Sequence, residues 1–88
     1  MNWYKVKTKE ERDSYTYVGA STETAEVIAE RAARGEYIRL DELLYMDRGD
    51  IKEWAEWDKS LVPTVYINPA NILSFVQFKG DPRVVSRK

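Results

Sequence analysis

One segment of this chain has the periodicity of a helix, and its apolar stripe is mostly alanine. Ala25, Ile28, Ala29 and Ala32 recur at i, i+3, i+4 and i+7, and Val27 widens the face. Ser21 or Thr22 can accept an orphan N–H at its start. Glu23, Glu26 and Glu30 lie ahead of Arg31 and Arg34, the order that complements the helix dipole, and Glu30 and Arg34 make an i,i+4 pair in the favourable orientation. Gly35 supplies the left-handed residue that stops the run. These signals predict a helix over 22–34. Such a helix can lie close on a sheet but brings little bulk, so the large core residues must come from elsewhere.

Elsewhere the pattern has a strand's period. Trp3-Tyr4-Lys5-Val6-Lys7 alternates large and charged residues, and Tyr15-Thr16-Tyr17-Val18 is aromatic and β-branched. Together they predict an N-terminal hairpin ended by Gly19. Residues 36–40 alternate with Ile38 and Leu40 inward, Leu43-Leu44-Tyr45-Met46 extends the apolar run, and Asp47-Arg48-Gly49-Asp50 reads as a turn. Residues 50–57 fit two templates. As a helix, Asp50 caps, Glu53 completes a box, and Ile51, Trp54 and Ala55 share a face. As a strand, Ile51, Glu53, Ala55 and Trp57 alternate with Lys52, Trp54 and Glu56. Ala, Glu and Lys are poor strand residues, which favours a short helix.

After Pro63, Val65 and Ile67 face one way. The last run, 72–78, is apolar on both faces: Ile72, Val76 and Phe78 on one, Leu73 and Phe75 on the other. Such a strand belongs at the centre of a sheet or covered on both sides. One helix covers one side only, so the other needs the 50–58 segment or a second subunit. The expected fold is an α+β domain with a small, mainly antiparallel sheet and one helix packed on it, in the order β-β-α-β-(β or α)-β-β. It spans 1–80, and a loose basic tail follows at 81–88.

Composition narrows the chemistry. The 88 residues suit a single domain, 43% hydrophobic and 33% charged, which is globular rather than disordered. Cysteine is absent, so neither disulfides nor thiolate metal sites can form, and histidine is absent too. Without histidine the commonest general base, zinc ligand and physiological pH switch are missing, and Ser-His or Cys-His catalysis cannot occur within the chain. Asp47-Arg48-Gly49-Asp50 is too short for a calcium loop and lacks its distal glutamate. The expectation is a non-enzyme with no metal and no cofactor. No run approaches the ~20 apolar residues of a membrane span, and the start of the chain is mixed rather than apolar. These features suggest a soluble, cytoplasmic protein of bacterial or phage origin.

Net charge is −1, but its distribution is uneven. Residues 36–58 hold eight acids (Glu36, Asp41, Glu42, Asp47, Asp50, Glu53, Glu56, Asp58) against three bases (Arg39, Arg48, Lys52), while Lys5, Lys7 and Lys9 and then Lys79, Arg83, Arg87 and Lys88 make both ends basic. Segregation of this kind suits either an ordinary solvated surface or a self-complementary one.

Asn68-Pro69-Ala70-Asn71 interrupts the two C-terminal apolar runs. Pro69 fixes φ and biases Asn68 towards an extended conformation, and both asparagines can bond nearby backbone. A corner accounts for all of this. Phosphate binding would want glycine, lysine and a following helix. The stretch Val-Tyr-Ile-Asn-Pro-Ala-Asn-Ile-Leu-Ser-Phe, through Val65, Ile67, Asn68, Pro69 and Ile72, resembles the C-terminal strand-corner-strand of small bacterial and phage proteins, and residues 34–40 are similar to a second piece of that pattern. Residues 41–61 look like an insertion. The resemblance implies a compact non-catalytic domain and brings no site residues with it.

Two surfaces remain as candidates. Tyr45, Trp54 and Trp57 with Glu53 and Glu56 form an acidic, aromatic interaction surface, whose rings can complete the core, anchor an interface or stack on bases, although the acidic neighbours oppose phosphate-backbone contact there. Trp3, Tyr4, Lys5, Lys7 and Tyr17 interleave aromatics with lysines, as single-strand nucleic-acid binders do, although a pI near 5.5 gives no global basic footprint. The expected function is that of a small accessory or regulatory protein that binds another protein or itself as a homo-oligomer. The alternative is nucleotide or single-stranded nucleic-acid binding, including phage-type sequestration of a nucleotide signal.

Overall fold

A computed structural model describes residues 1–47, 50–52 and 64–83. In order, these form β1 (Asn2–Glu10), β2 (Asp13–Ser21), α1 (Ala25–Ala33), β3 (Ile38–Asp47), β4 (Asp50–Lys52), β5 (Thr64–Ile67), a 3-10 turn (Pro69–Asn71) and β6 (Ile72–Gln77). Every ladder between them is antiparallel, so the domain is mixed α+β.

The helix starts later than its periodicity suggests. Ser21 ends β2, and its Oγ accepts the Glu23 N–H at 3.0 Å, forming a local turn rather than a cap. Thr24 is the cap, its Oγ1 accepting from the Val27 N–H at 3.3 Å. At the other end Gly35 stands at φ 77. Its N–H reaches the Ala32 carbonyl at 3.0 Å while the Glu36 N–H reaches that of Arg31 at 2.9 Å, the paired bonds of a left-handed helix stop. The buried stripe is narrower than expected. Ile28 is buried, Ala25 and Ala32 pack half-buried on the core, and Ala29 and Val27 are exposed.

The sheet runs β4-β3-β2-β1-β6, and β5 also pairs with β3. β5 and β6 therefore sit at opposite ends of a five-strand path. Laid flat, its four strand spacings would hold them roughly 19 Å apart. The chain from Ile67 to Ile72 reaches at most about 17 Å when fully extended. Part of it is wound into the 3-10 turn, which rises only ~2 Å per residue. The sheet must curl. Asn68 caps the turn by accepting the Ala70 N–H at 3.0 Å, Pro69 takes the first helical position, and Asn71 donates to Glu10 at 3.3 Å. The corner is thus the link that draws the two ends of the sheet together.

Curling encloses Tyr4, Val6, Ile38, Leu40 and Ile67 beneath Ile28, with the Tyr4 and Phe75 rings stacked 5.0 Å apart. A second cluster, Trp3, Val18, Ala20 and Leu44, lies on the opposite face with Ile51 and Phe78 against it. One device lets β3 serve both. Val18 pairs with Leu44 and Ala20 with Asp41, so β3 carries one extra residue between those pairs, and Glu42 there takes the left-handed φ of 50. Ile38 and Leu40 face the first cluster. Past the bulge the parity flips, so that Leu43 joins the first cluster and Leu44 the second.

Four expectations are corrected. Gly19 does not end β2, which continues to Ser21, because the strand must reach β3. Residues 50–52 form a strand, since β3 offers its edge at 45–47 and pairing outweighs their weak propensity; the rest of 50–58 lies outside the described residues. Residues 81–83 are not loose, because Pro82 is fully buried and the Arg83 guanidinium, held by Asp81, lies 4.9 Å over the Trp3 ring. The expected tail beyond them, 84–88, lies outside the described residues. Finally, β6 is the last strand of the path, not a central one.

Thr8 is buried, yet its Oγ1 has no hydrogen-bond partner among the described residues. Thr8→Val keeps the shape and removes the desolvated hydroxyl, so it is expected to raise stability by about 1–2 kcal/mol. The check is the urea midpoint, which must rise.

Candidate functional site

The strand expected at the centre of the sheet, or covered on both sides, has no fully buried residue. Leu73 is 58% and Val76 47% exposed, and Ser74 and Gln77 are exposed beside them. A bulge causes part of this. Lys7 pairs with Ser74 but Thr8 with Ile72, so Leu73 is an extra residue pushed out of the ladder. Ile72 and Phe75 both turn to the first cluster as a result, and Phe78 packs on the second.

The ladder settles which backbone groups of β6 face outward. The Phe78 N–H donates to the Trp3 carbonyl at 2.9 Å. Antiparallel pairing alternates bonded and non-bonded pairs. Val76 opposite Lys5 and Ser74 opposite Lys7 therefore bond inward to β1, and Phe75 and Gln77 direct N–H and C=O away from it. Among the described residues β6 pairs with β1 alone. No residue of 72–78 carries charge.

Beside this edge runs a basic row. Lys5 lies between Val18 and Val76, and Lys7 between Thr16 and Ser74, on the face away from α1. The aromatics expected to accompany those lysines lie elsewhere. Trp3 is buried in the second cluster beneath Arg83, Tyr4 is fully buried in the first, and Tyr17 is half-buried against the first. Tyr45 belongs to β3, opposite Lys52, and Glu53, Trp54, Glu56 and Trp57 lie outside the described residues.

Tyr4 instead fastens the helix to the sheet. Its hydroxyl donates to the Glu23 carbonyl at 2.7 Å, where the Asn2 amide also donates at 3.1 Å, while the Glu23 carboxylate accepts from Arg31 at 2.7 Å. Burial raises the Tyr4 hydroxyl above its ordinary range, opposed by the Asn2 amide and helped by Glu23. Burial, then Glu10 and Tyr15, raise that of Tyr17. A raised folded value favours the neutral form, so this stability is whole below tyrosine's ordinary 10.0 and is lost as pH climbs through the folded values. The urea midpoint is expected to fall above about pH 10, more steeply than in a Tyr4→Phe, Tyr17→Phe double variant. Equal slopes would contradict this.

Glu36 is held below the usual carboxylate range by its hydrogen bond from Arg34 at 2.6 Å, but the pair is exposed and serves the helix end alone. Among the described residues no three acids are grouped to hold a metal, and no helix is long and apolar enough to cross a membrane. Compared with known proteins, the chain matches no family model, no curated protein and no solved structure.

Proposed function

We propose that this is a small non-enzymatic accessory or regulatory protein that acts by binding another protein, or itself, along β6. The observation that carries the reading is the uncharged edge from 72 to 77, with Leu73 and Val76 exposed and the backbone groups of Phe75 and Gln77 directed outward. Proteins blunt unused edges with charge, proline, bulges or a covering element. The Leu73 bulge is one such device, but it leaves 74–77 in regular register with β1. Absence of cysteine suits a cytoplasmic setting, and the resemblance at 64–78 suits a bacterial or phage source.

A second reading, nucleotide or single-stranded nucleic-acid binding, draws on the row of Lys5 and Lys7. It has backbone electrostatics but lacks the stacking rings, since Trp3 and Tyr4 are turned into the two clusters.

A photo-crosslinking amino acid separates the readings. Placed at Val76 it is expected to yield protein adducts, in purified solution or in host lysate, that the same group at exposed Ala29 does not. Oligonucleotide titration at low salt is expected to leave tryptophan fluorescence unchanged. Adducts no more frequent from Val76 than from Ala29 would refute the first reading.

A further inference from the structure

Resting on the protein-binding reading, the geometry points to the occupant of the β6 edge: β6 of a second copy, paired antiparallel about a two-fold axis at Val76. The outward groups dictate that register. Phe75 and Gln77 of each copy exchange backbone bonds with Gln77 and Phe75 of the other, which leaves Val76 facing itself as the close, non-bonded pair. The valine is exposed in the single chain and is covered by its symmetry mate. The interface is isologous, so it closes at a dimer.

Charge fits a second copy. The strand from 72 to 78 has no charge with which to reject its own kind. With Val76 on the axis, Lys79 of each strand falls opposite Leu73 of the other, so no like charges meet along the paired residues 73–79. The Lys5 positions, one strand further in, stay three strand spacings apart, about 14 Å. That exceeds a Debye length of ~8 Å at physiological salt, so the two basic rows do not oppose association.

Light scattering after size exclusion tests this on the full chain at micromolar concentration. The unaltered protein is expected to run at twice its chain mass. Gln77→Pro removes an outward N–H without touching the bonds to β1, and the preceding Val76 is already extended as proline requires, so this variant is expected to be a folded monomer. Val76→Asp places like charges face to face on the axis and is expected to be monomeric too. Mixing it with Val76→Lys is expected to restore the dimer, which only a two-fold contact at that residue allows. A monomeric parent protein, or a dimer indifferent to both Val76→Asp and Gln77→Pro, overturns the pairing. A monomer that still crosslinks a different protein from Val76 overturns the pairing alone and leaves the protein-binding reading standing.

Discussion

Gly19→Ala is expected to lower the unfolding free energy by about 3 kcal/mol, at the upper end of overpacking effects. A Cβ at this position would stand 2.9 Å from the Leu40 Cβ and 3.0 Å from both the Asp41 carbonyl oxygen and the Leu43 Cδ2. Leu43 can swing aside, but a backbone oxygen and a Cβ cannot without moving β3. The crowding comes from the bulge, which brings β3 close against β2 as it passes from one cluster to the other. Leu43→Ala is therefore expected not to rescue Gly19→Ala. Urea melts of the single and double variants measure this, and full recovery in the double would show that the leucine tip alone was in the way. Against the roughly 5–15 kcal/mol that holds a domain together, the loss is large.

Ile28→Ala is expected to cost about 3–4 kcal/mol and to lower the melting temperature by roughly 15 °C or more. Ile28 is the buried residue of α1, and it fills the mouth of the first cluster between Tyr4, Val6, Ile38, Leu40 and Ile67. Ala25 and Ala32 beside it have no volume to take its place. The hydroxyl of Tyr4 and the amide of Asn2 still tether the Glu23 carbonyl, so the helix is expected to loosen from its far end first. Amide exchange is the discriminating measurement. Protection should fall across 28–33 while the β1–β2 ladder keeps its own; uniform loss along both would show that helix and sheet unfold as one unit.

Local signals carried much of this fold into the sequence. The turn chemistry of Gly35 and of Asn68–Pro69 was legible because φ and side-chain capping are set within a few residues. Ile38 and Leu40 were legible as inward, and Val65 and Ile67 as sharing one face, because strand parity runs undisturbed through them. The helix start was misplaced since Ser21, Thr22 and Thr24 are chemically equivalent caps, and only the length of β2 chooses Thr24. The candidate site was misread for a related reason. Alternation gives two faces to 72–78, but it counts neither the extra residue at Leu73 nor the strands on either side.

By itself the sequence determined the absence of thiol and imidazole chemistry, the alanine-rich helix after Ser21, the strand-forming runs and the corner at 68–71, because each depends on residue type or on neighbours a few positions away. Tertiary structure alone decided that both faces of β1 are covered at Trp3 and Tyr4, that Gly19 makes room for β3, and that β6 ends the sheet with Val76 exposed. Those outcomes depend on ladder order and on two bulges. A bulge shifts parity by one residue, which sends every later side chain to the opposite face.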